Sequence, residues 1–162
     1  MPNYIHSAPG VAGEQATVKI ANNAESGATY LTIPQLQDVT INNANDVFTW
    51  SQLDATAKKQ VATTSTNSIS MNIVLDEATW FGTGTYSPTG TAANNGVQQT
   101  SIHKDLIDFR IDLGGTTQKS IEGQGFITGL APTTSADSPV WISPITITVT
   151  GEYTIGTNID SA

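Results

Sequence analysis

Apolar and polar residues alternate with period two in several short stretches of this chain, the pattern of strands buried on one face. In Ala16-Thr17-Val18-Lys19-Ile20, residues Ala16, Val18 and Ile20 share a face. From Ser68 to Leu75, the side chains of Ile69, Met71, Ile73 and Leu75 line one face, with Ser68, Ser70 and Asn72 opposite. Ile107, Phe109, Ile111 and Leu113 alternate with Asp108, Arg110 and Asp112 before a Gly114-Gly115 stop. Ile145-Thr146-Ile147-Thr148-Val149-Thr150 is the clearest strand: its Ile/Val row turns inward, and its Thr row faces solvent or a neighbour.

Weaker patterns fill in the order of elements. Asp38-Val39-Thr40-Ile41 and Asp46-Val47-Phe48-Thr49-Trp50 read as two short strands around a turn at Asn42-Asn43-Ala44-Asn45. The stretch 82–96, rich in Gly, Thr, Ser, Pro and Asn, reads as a loop, with a short helix after it over about 97–105. The segment 123–130 reads as a strand whose glycines mark a bulge or a close backbone approach, paired with 140–150. Pro144 predicts a bulge or an edge position there. Eight or so short strands with at most one short helix predict a mainly β chain: a single-domain β-sandwich or partly closed barrel.

A length of 162 residues fits one domain able to bury a core without staples. The 25 threonines, stiff at χ1, reinforce the β reading. With no Cys, a disulfide scaffold, a thiolate zinc site and a cysteine nucleophile are excluded. Six basic residues, of which only Arg110 is an arginine, stand against fourteen acidic ones, a net charge of −8. Phosphate binding rests on clustered Lys and Arg, so this balance is wrong for gripping nucleic acid; it serves solubility and repels DNA at short range. The opening Met1-Pro2-Asn3-Tyr4-Ile5-His6 has no basic start and no apolar run, so no signal peptide is expected. Stretches such as Ile73-Val74-Leu75 are too short to cross a bilayer.

No constellation of catalytic residues emerges. His6 falls in an N-terminal arm and His103 in a polar turn, and no nucleophile-elbow motif accompanies them. Asp105, Asp108 and Asp112 lack the spacing, glycine and terminal Glu of a calcium loop, and on a strand Asp108 and Asp112 flank Arg110 and are partly neutralised by it. Gly82-Thr83-Gly84 and Gly123-Gln124-Gly125 lack the further residues of a phosphate-binding loop. Trp50, Trp80, Trp141 and Tyr86 read as core or interface anchors before they read as a sugar platform. The expectation is a structural or assembly protein without catalytic residues, metal or cofactor.

Two stretches together resemble long-tailed phage tail tube proteins. One runs Ile121-Glu122-Gly123-Gln124-Gly125-Phe126-Ile127-Thr128-Gly129-Leu130, then a polar turn, then Ile145-Thr146-Ile147-Thr148-Val149-Thr150-Gly151-Glu152; it is similar to that family's closing hairpin. The other runs from Ile33-Pro34-Gln35-Leu36-Gln37-Asp38-Val39-Thr40-Ile41 through Phe48-Thr49-Trp50-Ser51-Gln52-Leu53-Asp54 to Ser68-Ile69-Ser70-Met71-Asn72-Ile73. It resembles the family's early strand, its projecting loop with a Thr-x-Leu-Asp element, and the returning strand. The likeness covers roughly 30–152, departing from the family where the helix signal between Asp76 and Asp105 is weak.

The resemblance implies a subunit whose neighbours continue its sheet into a ring, usually hexameric, with rings stacked around a channel. It implies an N-terminal arm (about 1–14), a projecting loop (about 42–66) and a C-terminal tail (about 153–162). Asp38, Asp46, Asp108, Asp112 and Glu122 become candidates to face the lumen, and Trp50, Leu53 and Asp54 candidates for ring stacking. Implied partners are further copies of the chain, tail terminator, tape-measure and distal tail or baseplate proteins, with double-stranded DNA passing without specific binding and no membrane. The implied location is the virion tail, assembled in a host cytoplasm. A capsid-decorating or adhesin- or carbohydrate-binding β-sandwich module is the alternative.

Overall fold

The computed structural model describes residues 16–24, 27, 29–53, 56–113, 119–137 and 139–157. The strands are β1 (Thr17–Asn22), β2 (Leu31–Thr32), β3 (Leu36–Trp50), β4 (Lys59–Val74), β5 (Ile107–Asp112), β6 (Lys119–Leu130) and β7 (Ile142–Thr157). Two helices, α1 (Glu77–Phe81) and α2 (Ala92–Ile102), fall between β4 and β5. The strands make one antiparallel sheet in the order β2-β1-β5-β6-β7-β4-β3, so the mainly β, single-domain expectation holds.

The ladder is open, yet its two edges are neighbours in sequence. β2 and β3 are joined by Ile33, Pro34 and Gln35 alone, a link that spans about 14 Å at full stretch. Ile33 N–H donates to Val18 O of β1 (2.8 Å), and Val74 N–H of β4 donates to Gln35 O (3.2 Å). The link thus bonds to both sides of the gap and rolls the sheet on itself. Its inner face carries the predicted apolar rows: Val18 and Ile20, Ile69, Met71 and Ile73, Ile107, Phe109 and Ile111, Ile127, then Ile145 and Ile147, with Trp80, Ala92 and Val97 from the helices. Each side chain of this kind contributes roughly 1.5–3 kcal/mol of transfer free energy when fully buried.

Three local differences from the sequence reading have physical causes. β3 runs straight through Asn42–Asn45, where a turn was expected, because Asn42, Asn43, Ala44 and Asn45 pair with Ser68, Asn67, Thr66 and Ser65 of β4; the ladder overrides the local turn preference. There are two helices where at most one was expected over 97–105. In α1 the Asp76 carboxylate caps Thr79 N–H (3.1 Å), and α2 starts at Thr91, whose hydroxyl caps Asn94 N–H (3.1 Å). α2 kinks at Gly96, whose φ of 75° and tight fit against the backbone of Trp80, Phe81 and Gly82 leave no room for a Cβ. Residues 153–157 are the end of β7, not a tail: β7 shifts register around Gly151 and resumes pairing with β6 from Thr154 to Thr157. The expected arm at 1–14 lies outside the described residues.

Candidate assembly surface

Because successive residues of a strand point to opposite faces, the register that buries the apolar rows sends the alternate residues to one continuous outer face. Asp38 is registered with Asn72, Thr40 with Ser70 and Asn42 with Ser68. Ser70 is registered in turn with Thr146, and Ser68 with Thr148, which meets Phe126. Asp108, Arg110 and Asp112 continue this face opposite Gln124, Glu122 and Ser120. Four of the five acidic candidates, Asp38, Asp108, Asp112 and Glu122, therefore share the outer face. Asp46 follows Asp38 in the same alternation, out on the hairpin.

Their surroundings split the face in two. On the β1/β5/β6 side the acids have partners. Arg110 Nε donates to Glu122 Oε1 (2.9 Å) and its guanidinium lies 5.1 Å from the centre of the Tyr30 ring. Burial pushes the Tyr30 phenol up, against the opposing pull of Arg110. Asp112 is only 5% exposed; its Oδ2 accepts from Thr17 Oγ1 (3.2 Å) and sits 3.4 Å from Lys19 Nζ. Asp108 accepts from Asn23 Nδ2 (3.1 Å). The expected neutralisation of Asp108 and Asp112 by Arg110 is thus replaced by cross-strand pairing, since the register sets Arg110 against Glu122 and brings Lys19 to Asp112.

On the β3/β4/β7 side the same face carries hydroxyls and amides around Asp38, with Asp46 farther out on the hairpin and Glu152 of β7 beside Glu122 and Asp108. Asn72 Nδ2 donates to both carboxylate oxygens of Asp38 (3.0 and 2.9 Å). Thr128 Oγ1 and Thr148 Oγ1 share a hydrogen bond (2.8 Å). Asp38, Asn42, Asn72, Thr128 and Thr148 are all exposed.

The β3–β4 hairpin reaches past the sheet. β7 pairs with β4 only from Ser68 to Val74, so the hairpin beyond Asn67 has no third strand. Its root is clamped by β7: Tyr153 Oη donates to Asn42 O (2.7 Å) and Ser68 O (3.1 Å), and Asn67 Nδ2 donates to Gly151 O (3.1 Å). Toward the tip, Phe48 and Trp50 stack with ring centres 5.9 Å apart, and Leu53 is fully exposed. Asp54 lies outside the described residues. Asp46 accepts from Thr64 Oγ1 (3.0 Å).

The remaining sequence candidates scatter. His103 ends α2 and stacks on Tyr86 (3.7 Å between ring centres), whose hydroxyl donates to Asp105 (3.0 Å). Trp80 is buried in the core, whereas Trp141 is half exposed, and Trp50 is out on the hairpin. The aromatic residues form no shared sugar platform. Among the described residues no group of three or more His, Asp or Glu is placed to hold a metal ion. His6 lies outside the described residues. Nothing in the sequence marks Lys19 or Tyr153; their roles come from the β1–β5 register and from the far end of β7 reaching the hairpin root.

A rolled antiparallel sheet with one polar face, two helices and an outreaching hairpin defines the class: a mainly β domain with its chemistry spread over surfaces. Solved structures make the fold specific, and it is that of tail tubes. The chain is similar to the tail of an empty GTA (gene transfer agent) particle with C6 symmetry (TM-score 0.69, 14% identity, 90% of this chain and 98% of the other). It is also similar to the SPP1 tail tube (TM-score 0.68, 12% identity, 94% and 82%). A third likeness is to the sheath–tube complex of PVC, an extracellular contractile injection system (TM-score 0.55, 14% identity, 94% and 95%). No protein-family model matches the chain, and no curated protein matches it in sequence. The resemblance to phage tail tube proteins read from the sequence is borne out in the fold.

Proposed function

We propose that this chain is the repeating structural subunit of a phage-type tail tube: six copies form a ring, rings stack, and the viral genome passes through the channel. The observation that carries this reading is the likeness, over nearly the whole of both chains, to the tail of a particle with C6 symmetry. The edges of the sheet support it. β3 is a 15-residue edge strand, and an edge that long invites pairing unless something covers it; a neighbouring copy in a ring would cover it.

The outer face suits a channel wall. On its β3/β4/β7 half, hydroxyls and amides surround the exposed carboxylate of Asp38, with Asp46 farther along the hairpin, and these repel phosphate without offering a cation to bind it. On the β1/β5/β6 half the cations Lys19 and Arg110 are engaged by Asp112 and Glu122, and Lys59 stands at the far end of the hairpin, opposite Trp50. We assign lumen contact first to Asp38 and Asp46. Asp108 and Glu122 belong to the paired half, and Asp112 is buried. In this role the chain acts in the virion tail after assembly in the host cytoplasm, between terminator and baseplate proteins and around the tape measure. Negative-stain microscopy and sedimentation of the purified protein test the reading. Tubes or six-fold rings are expected as concentration rises or when tail-initiating partners are added; a compact monomer under all these conditions would overturn it.

A further inference from the structure

Among the described residues, two apolar patches lie at opposite ends of β4. At the hairpin end, Phe48 and Trp50 stack on one another, Val61 is registered opposite Phe48, and Lys59 opposite Trp50. All four are exposed. Beyond the other end of β4, Leu75, Phe81, Pro132, Val140 and Trp141 line a groove of about 560 Å³, with the buried Trp80 also contributing. Phe81 is 60% exposed and Trp141 51%. Contiguous apolar surface of this kind marks an interaction site.

β4 has 16 residues, and at about 3.3 Å per residue its ends lie roughly 50 Å apart. The hairpin therefore points away from its own groove. The two patches also match in charge. Lys58 and Lys59 are exposed at the tip; the groove includes Glu77, with no Lys or Arg among its lining residues. When one pole of a molecule complements the other, the contact is heterologous and repeats from copy to copy along a line.

From this polarity we infer that the hairpin tip of one copy seats in the groove of a copy in the next ring. Phe48 and Trp50 pack against Phe81 and Trp141, and Lys59 faces Glu77. The inference rests on the tube reading but fails separately from it. It names the surface that receives the hairpin, which neither the fold nor the likeness to other tubes specifies.

The test uses full-length variants: Trp50→Ser at the tip and Trp141→Ser in the groove, both at exposed positions, with circular dichroism to confirm the fold. Tube length is read by electron microscopy. Each variant alone is expected to stop at rings, with mean tube length reduced at least tenfold. Mixed in equal amounts, they are expected to form paired rings and no long tubes, because each supplies one intact pole. Independently, Lys59→Glu and Glu77→Lys should each shorten tubes, and the two together in one chain should restore them. Long tubes from either Ser variant, no paired rings on mixing, or no rescue by the double charge swap would overturn the contact while leaving the tube reading standing. Absence of tubes from the unaltered protein would remove the tube reading and this contact with it.

Discussion

Ile147 and Thr148 are neighbours on β7 with opposite environments, so truncating each to Ala tests the face assignment directly. Ile147 is 1% exposed and is registered between Ile69 of β4 and Ile127 of β6, both buried. Ile147→Ala removes three carbons from a site walled by rigid strands on both sides, which limits collapse. Loss of transfer energy plus the residual cavity should cost about 2–5 kcal/mol. Thr148 is exposed, and its hydroxyl meets Thr128 Oγ1 at 2.8 Å. Thr148→Ala loses one solvent-accessible hydrogen bond and some β propensity, about 0.5–1 kcal/mol. For a chain of this size each kcal/mol moves Tm by roughly 2–4 °C, so Ile147→Ala should melt about 4–20 °C lower and Thr148→Ala within about 4 °C of the parent. Urea unfolding of the unassembled subunit, followed by circular dichroism, should show the same order with unchanged m-values. Equal shifts, or a larger shift for Thr148→Ala, would refute the inward and outward rows on which the outer-face argument depends.

Gly125→Ala should destabilise by about 1–3 kcal/mol in the same denaturation assay, because its Cβ would sit 2.5 Å from Thr148 O and 3.0 Å from Ile147 Cγ2. Tyr153→Phe should cost about 0.5–1.5 kcal/mol and raise hydrogen exchange at the hairpin root, where its hydroxyl bonds Asn42 O and Ser68 O. Burial pushes the Tyr153 phenol up from 10.0; a raised folded value means its contribution is full below the unfolded value and lost as pH climbs through the folded one, so the gap between parent and Tyr153→Phe should close only in strong alkali. Asp38→Lys should leave tube assembly intact and slow DNA ejection, most at low salt where screening is weakest; unchanged ejection at every ionic strength would leave the outer face without an electrostatic role.

The strands were legible where burial is one-sided. The rows at 69, 71 and 73, at 107, 109 and 111, and at 145 and 147 repeat every second residue, because each strand buries one face and wets the other. The glycines at 123 and 125 were also readable: a Cβ at either would collide with Phe109 or Thr148. What failed depends on distant partners. Asn42–Asn45 has a turn composition and became strand only through Ser65–Ser68. α1 is five residues long, too short to show a helical period, and Gly96 hid the first turn of α2. For the outer face, alternation put Asp108, Arg110 and Asp112 together, but the salt bridges cross to Glu122 and Lys19, and a cross-strand register cannot be read from one strand. The polarity of hairpin and groove was out of reach for the same reason, since Phe81 and Trp141 are sixty residues apart in sequence and meet only because α1 follows β4 and Trp141 precedes β7.

The net charge of −8 therefore does not act as a uniform wall. On the β1/β5/β6 half, each carboxylate is matched to a cation or an amide, an arrangement that fixes strand register and leaves little net field beyond the surface. The β3/β4/β7 half differs. Thr128 pairs with Thr148 and Asn42 with Ser68 across strands, which occupies some of the donors that could otherwise hold a passing phosphate. Asp38, held by Asn72 alone among the contacts of that half, keeps its charge exposed. A surface that repels polyanions needs both properties together: hydroxyls and amides already occupied by one another, and a sparse set of acids without cations nearby. In the proposed tube, with this face repeated six times in a ring and again in each stacked ring, a weak repulsion at one position would become a continuous property of the channel, which a single buried or paired acid such as Asp112 could not supply.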